Sequence, residues 1–220
     1  MLRKLIVTVK LPLALLLVGQ LLVGCGIYSK YGFGRVAASR LDADAVTVLE
    51  MPENAPSISQ RFRPEGVSSR TEHKGFDILV PSGTPVLAAA AGVVSRSETS
   101  ITYGRIIMIN HAITAEGQRI QTRYFHLSER LVEVGEQVGR GQLIGYSGAS
   151  GLTGVFPHLH FEVYRLNAAS PPVATVFLDP QAYWVQGSGK ITCFDQRLEW
   201  PESPVSLTYP VPCRDVPWQW

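Results

Sequence analysis

Between Ser57 and about Tyr183 the chain reads as short apolar runs separated by turn residues. Pro85 to Val94, Arg105 to Ile109, Arg119 to Leu127, Gln137 to Tyr146 and His158 to Arg165 are predicted strands. Pro81-Ser82-Gly83-Thr84, Ala115-Glu116-Gly117-Gln118 and Gly139-Arg140-Gly141 supply turns. Strands at this spacing with few helical repeats predict a mainly β, antiparallel domain. The alternation is sharpest in Pro157-His158-Leu159-His160-Phe161-Glu162-Val163. Period two there places His158, His160 and Glu162 on one face and Leu159, Phe161 and Val163 on the other. The same rule applied to Tyr124-Phe125-His126-Leu127 turns Phe125 and Leu127 inward, Tyr124 and His126 outward.

The flanks differ. Gly26 to Pro56 is mixed in character, with a polar, glycine-bearing Tyr28–Gly32 and a candidate short strand at Val46–Leu49, and it reads as a tether. Gln186 to Trp220 is rich in Pro and Trp without periodicity and reads as an irregular extension. The predicted organisation is a leader over residues 1–24, a tether over 25–56, a domain over 57–185 and the extension over 186–220.

Charge narrows the function classes. Beyond the first 24 residues, which carry Arg3, Lys4 and Lys10 and no acid, 17 basic face 18 acidic residues. Without a basic block, nucleic-acid binding lacks its main source of affinity. Apolar residues spread along the chain also exclude low-complexity disorder.

The N-terminal cations precede an apolar run, Leu11 to Val23, that ends in Leu22-Val23-Gly24-Cys25. This is the layout of a secretory signal peptide, and the run is shorter than the roughly 20 residues of a comfortable membrane span. The tetrapeptide resembles the bacterial lipobox, which implies lipidation of Cys25, palmitate included, and attachment to a membrane. Gly26, in place of an Asp, favours the outer membrane, facing the periplasm. Cys193 and Cys213 then remain as an even pair in an exported chain, and a disulfide between them is expected.

Four of the five histidines fall in arrangements that suit one metal. His73-Lys74-Gly75-Phe76-Asp77 sets an imidazole and a carboxylate four residues apart, with Gly75 expected to let the chain turn. The 158–162 strand adds two imidazoles on one face, and His126 a further one. Two imidazoles and a carboxylate form a usual catalytic zinc set with one position left for water. Zinc lowers the pKa of such a water and polarises a carbonyl, so amide hydrolysis at neutral pH becomes accessible. His111, at a predicted strand end, reads as structural. Glu162 reads as an outer partner that orients a histidine.

His73-x-x-x-Asp77, His126 in Tyr-Phe-His-Leu-Ser, and Pro157-His158-Leu159-His160-Phe161-Glu162-Val163 together resemble the M23 zinc metallopeptidases of the lysostaphin/LytM type. Gly83-Thr84-Pro85-Val86 and Val134 to Gly145 resemble the family too, so the likeness covers about residues 60 to 165. It implies an antiparallel barrel-sandwich domain with a groove whose floor holds Zn2+, and hydrolysis of peptide cross-links in peptidoglycan. Carried over, His73, Asp77 and His160 are the metal ligands, His158 the general base, and His126 the residue that stabilises the oxyanion or shares proton transfer. The segment between Ser147-Gly148 and Pro157 is longer than the family's compact approach and borders the groove.

Two other functions compete. Degenerate members of the family serve as non-catalytic activators or scaffolds for cell-wall amidases, but here all five positions hold the expected His or Asp. The glycine-valine rhythm of 135–145 also resembles biotinyl/lipoyl carriers, which need a modified lysine. Val86 to Tyr164 contains none.

Overall fold

The computed structural model describes residues 32–36, 49–64, 72–113, 118–167 and 176–219. The predicted leader, Cys25, most of the Val46–Leu49 stretch and residues 115–117 of one predicted turn lie outside the described residues.

The regular structure of the described chain is almost entirely antiparallel strand, with one 3-10 turn at Pro180–Tyr183. Its strands are β1 (Ile58–Gln60), β2 (Gly75–Ile78), β3 (Pro85–Leu87), β4 (Gly92–Ser100), β5 (Gly104–Ile113), β6 (Gln118–Leu127), β7 (Glu129–Arg130), β8 (Gln137–Val138), β9 (Leu143–Tyr146), β10 (Leu159–Asn167) and β11 (Val176–Leu178). One large sheet runs β1-β2-β10-β6-β5-β4-β8, with β11 continuing along the edge of β10 that β2 leaves. A smaller sheet, β3-β9-β7, completes the domain.

Alternation in β10 is realised as the sequence predicts. Leu159, Phe161 and Val163 are fully buried and pack in the core with Phe76 and Ile78 of β2, Ile107 and Ile109 of β5, and Ile144 of β9. Each such side chain contributes about 1.5–3 kcal/mol relative to exposure. The opposite face of β10 is thereby held in one register across β2 and β6, since a one-residue slip would invert both faces.

Three predictions need correction. Pro85–Val94 is not one strand: β3 and β4 belong to different sheets, and the chain bends at Ala88–Ala91. The bend is viable because its backbone finds partners elsewhere. Ala88 N–H donates to Gln142 O (2.9 Å), Ala89 N–H to the Tyr124 hydroxyl (2.9 Å), and Thr208 N–H to Ala89 O (2.9 Å). Gln137–Tyr146 likewise splits into β8 and β9 around a turn at Gly141, which has φ +77°. Third, Tyr124 points into the core, not outward, for a reason given below.

The flanks are folded onto the domain. Residues 32–36 and 49–56, read as tether, bridge to β1 and to the extension: Ser57 N–H donates to Gly32 O, and Glu50 N–H to Gly189 O (both 2.8 Å). Among its described residues the extension carries no strand but buries Ile191, Phe194, Leu207, Tyr209 and Val211. Cys193 and Cys213 are disulfide-bonded with Cα atoms 5.9 Å apart. The Tyr209 hydroxyl donates to Pro56 O (2.7 Å), joining the two flanks inside the core.

Candidate metal centre and groove

Asp77 and His160 are register partners on β2 and β10, so their side chains leave neighbouring strands toward the same side. Asp77 Oδ1 is 2.7 Å from His160 Nδ1 and 3.2 Å from His73 Nε2. One donor atom from each of the three residues lies within 4.8 Å of the others.

Gly75 works differently from the expected turn. It lies in β2, and a Cβ there would collide with the Phe161 carbonyl and come within 3.0 Å of Glu162 Cγ. Its missing side chain lets β2 close on β10, which brings Asp77 to His160.

Proton positions follow from the backbone. His73 Nδ1 donates to Arg61 O (2.8 Å), His158 Nδ1 to Phe156 O (2.7 Å) and His126 Nδ1 to Ser150 O (2.9 Å). A carbonyl only accepts, so each of these rings in its neutral form keeps its lone pair on Nε2. His160 is reversed: Nε2 donates to Glu162 Oε1 (3.1 Å), so in the neutral, metal-binding form of the ring Nδ1 is the lone-pair nitrogen facing Asp77. Lone pairs of His73 Nε2 and His160 Nδ1 thus both confront a carboxylate oxygen. Acceptors at these distances repel unless a cation or proton stands between them.

The electrostatics agree. Burial alone would raise the Asp77 pKa, but where protons occupy the facing nitrogens, hydrogen bonds from His160 and His73 overturn this and hold it well below the usual carboxylate range. Burial alone would lower His160, yet Asp77 and then Glu162 raise it to about 9. The pocket therefore attracts positive charge. Two imidazole nitrogens and one carboxylate fit Zn2+, with Glu162 as the outer carboxylate that sets the His160 tautomer.

His126 joins the site by breaking the alternation. Its φ is +62°, and an extra residue in β6 shifts the register between Arg105↔Leu127 and Ile107↔Tyr124. This bulge turns Tyr124 and Leu127 into the core. Phe125 and His126 are left on the groove side. Phe125 stacks on His160 (5.6 Å, 18°) and on Tyr103 (5.0 Å, 23°). The His126 ring lies 4.8 Å from that of His158. Burial lowers the His126 pKa to about 4, against the opposing effect of the Ser150 carbonyl, so the ring is neutral at pH 7.

These side chains line a groove of about 340 Å³. His158 Nε2 faces it 3.6 Å from Asp77 Oδ1. The sequence-predicted site residues His73, Asp77, His126, His158 and His160 all converge here, with Glu162 beside them. Gln60, Glu72, Lys74, Tyr103 and Thr153 also line it and escaped sequence reasoning, because nothing local marks them. His111 is elsewhere, buried between Ala91 O and Thr122 Oγ1 (2.8 and 2.9 Å).

Together these features define a candidate single-metal centre on an antiparallel β scaffold. Residues 71–172 match the model of peptidase family M23. It is 37% identical over 169 residues to a Vibrio cholerae protein named peptidoglycan DD-endopeptidase ShyC, covering 73% of this chain and 37% of that one. Identity to the V. cholerae peptidoglycan DD-endopeptidase ShyA is 36% over 155 residues, 66% of this chain and 34% of the relative. The chain thus spans little more than a third of these relatives. The catalytic domain of lysostaphin from Staphylococcus simulans aligns at 30% identity and a TM-score of 0.44, over 56% of this chain and 87% of that one.

Proposed function

We propose that this chain is a zinc-dependent endopeptidase that hydrolyses peptide cross-links of peptidoglycan. The observation that carries the reading is the convergence of His73 Nε2, Asp77 Oδ1 and His160 Nδ1, with two further imidazoles, His158 and His126, facing the same groove. Relatives named peptidoglycan DD-endopeptidases support the substrate class.

His73, Asp77 and His160 would hold the ion. When bound, zinc supplies Lewis acidity toward a carbonyl and lowers the pKa of a water toward about 7. The remaining work falls to the protein's imidazoles. His158, its Nδ1–H anchored on Phe156 O, presents Nε2 to accept the proton of the attacking water. The protonated ring then donates to the amine as the C–N bond breaks, which restores the neutral imidazole. His126 presents Nε2 to the same space and starts as an acceptor, so it stabilises an oxyanion only after taking up a proton. Glu162, buried on the far side of His160, holds that ring in orientation.

The proposal extends to location. The basic leader, the apolar run and Leu22-Val23-Gly24-Cys25 support export, lipidation at Cys25 and an outer-membrane site facing the periplasm. Incorporation of a palmitate analogue that disappears in Cys25→Ala tests the anchor.

Digestion of purified sacculi, with fragments identified by mass spectrometry, tests the activity. Release of peptide-cleaved fragments, abolished by chelator and restored by Zn2+, is expected. Intact cross-links after prolonged incubation with the zinc-loaded chain overturn the reading.

A further inference from the structure

The loop from Ala149 to Val155 reaches the groove through Thr153, and Ser150 within it is bonded to β5, to β6 and to the His126 ring. The Ser150 hydroxyl accepts from Arg105 N–H (2.9 Å) and donates to Leu127 O (2.7 Å), so it sits between the backbones of two register partners on β5 and β6. Its carbonyl accepts from His126 Nδ1 (2.9 Å), and its own N–H donates to His126 O (3.4 Å). Ser150 therefore stands where the bulge in β6 opens the ladder, and it closes the gap with a side chain.

The surroundings are built to admit it. Gly104 has φ +70°, and a Cβ there would run into Ser150 Oγ. Gly151 has φ +84°, and a Cβ there would run into the Gly104 nitrogen. The loop is pinned further by Leu152 N–H to Ile101 O and Thr153 N–H to Thr102 O (both 3.1 Å). Meanwhile His126, a residue with a Cβ, holds a left-handed conformation that costs of order 1–3 kcal/mol unless its neighbours enforce it.

We propose that Ser150 is a positioning residue for the reaction: its hydroxyl clamps the β6 bulge, and its carbonyl fixes the His126 tautomer, so that Nε2 faces the groove with a free lone pair. This rests on the function proposed above, in which His126 handles protons. Without the clamp, the loop carbonyl leaves Nδ1, both tautomers become populated, and the bulge relaxes toward regular alternation. A ring that turns away by about 1 Å loses on the order of 10²-fold in rate, while the metal ligands on β2 and β10 stay in place.

The test uses the full chain, zinc-loaded and ¹⁵N-labelled at histidine, as the parent, Ser150→Ala and Gly104→Ala. The second variant keeps the hydroxyl but crowds it out, so a folding failure in one leaves the other informative. Imidazole ¹⁵N shifts read the tautomer directly, whether or not the chain cleaves peptidoglycan. Expected are a single Nδ1–H form of His126 in the parent, a mixture in the variants, a kcat lower by about 10²-fold with KM within about twofold, and unchanged zinc content. A pure Nδ1–H form in folded variants, or parent-like kcat, overturns the proposal. A parent that shows the single tautomer but no hydrolysis overturns the function and leaves the positioning intact.

Discussion

Asp77 and His160 face each other across two antiparallel strands, with Oδ1 2.7 Å from Nδ1. No other pair in the site is joined both by backbone register and by side-chain contact at so short a distance. The pair couples the fold to the metal centre. Replacing His160 with Ala leaves one imidazole and one carboxylate, too few to hold zinc against chelation. Metal analysis after dialysis against a chelator should find the parent near one equivalent and His160→Ala near none.

His158 stands just before β10, with its ring beside the pair and outside the ligand triad. His158→Ala should retain zinc and lower turnover by roughly 10²–10⁴, the usual span for losing general acid–base assistance. Stoichiometric zinc with undiminished hydrolysis would remove His158 from the proton path.

Gly75 sets the distance between the strands that carry Asp77 and His160. Gly75→Ala should cost about 1–3 kcal/mol through overpacking and weaken zinc retention at the same time. Urea unfolding and a chelator competition, run on the same preparation, would show whether the two losses travel together.

His111 gives a pH dependence independent of the metal. Burial, reinforced by the Arg140 charge and opposed by the hydrogen bond to Ala91, lowers its pKa from 6.5 to about 4. Below 6.5 the unfolded chain takes up a proton that the folded chain refuses, so stability falls with pH through that window and levels off below about 4. The loss approaches about 3 kcal/mol at roughly 1.4 kcal/mol per pKa unit. His111→Gln does not titrate, so its stability deficit relative to the parent should shrink between pH 7.5 and pH 4.5. A constant gap in denaturant titrations would exclude this origin.

The Cys193–Cys213 bridge closes a loop with a sequence separation of 20 and anchors buried Tyr209 and Val211. Replacing both cysteines with Ser should lower unfolding stability by about 3 kcal/mol on the loop-entropy model. Because the extension pairs with Leu87 and Ala89, the loss should appear in the main unfolding transition and not as a separate early step.

The alternation of β10 was legible in the sequence because strand geometry assigns faces residue by residue. Leu159, Phe161 and Val163 could only be the core side, and that put His158, His160 and Glu162 opposite. Local spacing likewise exposed His73 with Asp77, and cysteine count exposed the disulfide pair. What no local pattern encodes is which distant segments meet. The cross-strand pairing of Asp77 with His160 depends on Gly75 admitting the Phe161 carbonyl, a contact between residues far apart in sequence. His126 reaches the groove through a bulge whose left-handed backbone is held by Ser150 in another loop, so strict period two assigned both Tyr124 and Phe125 to the wrong faces. The described parts of the flanks, which show no periodicity, became part of the core because their buried residues are ordered by backbone hydrogen bonds to the domain. Periodicity reports the face of an element; only packing decides what that face meets.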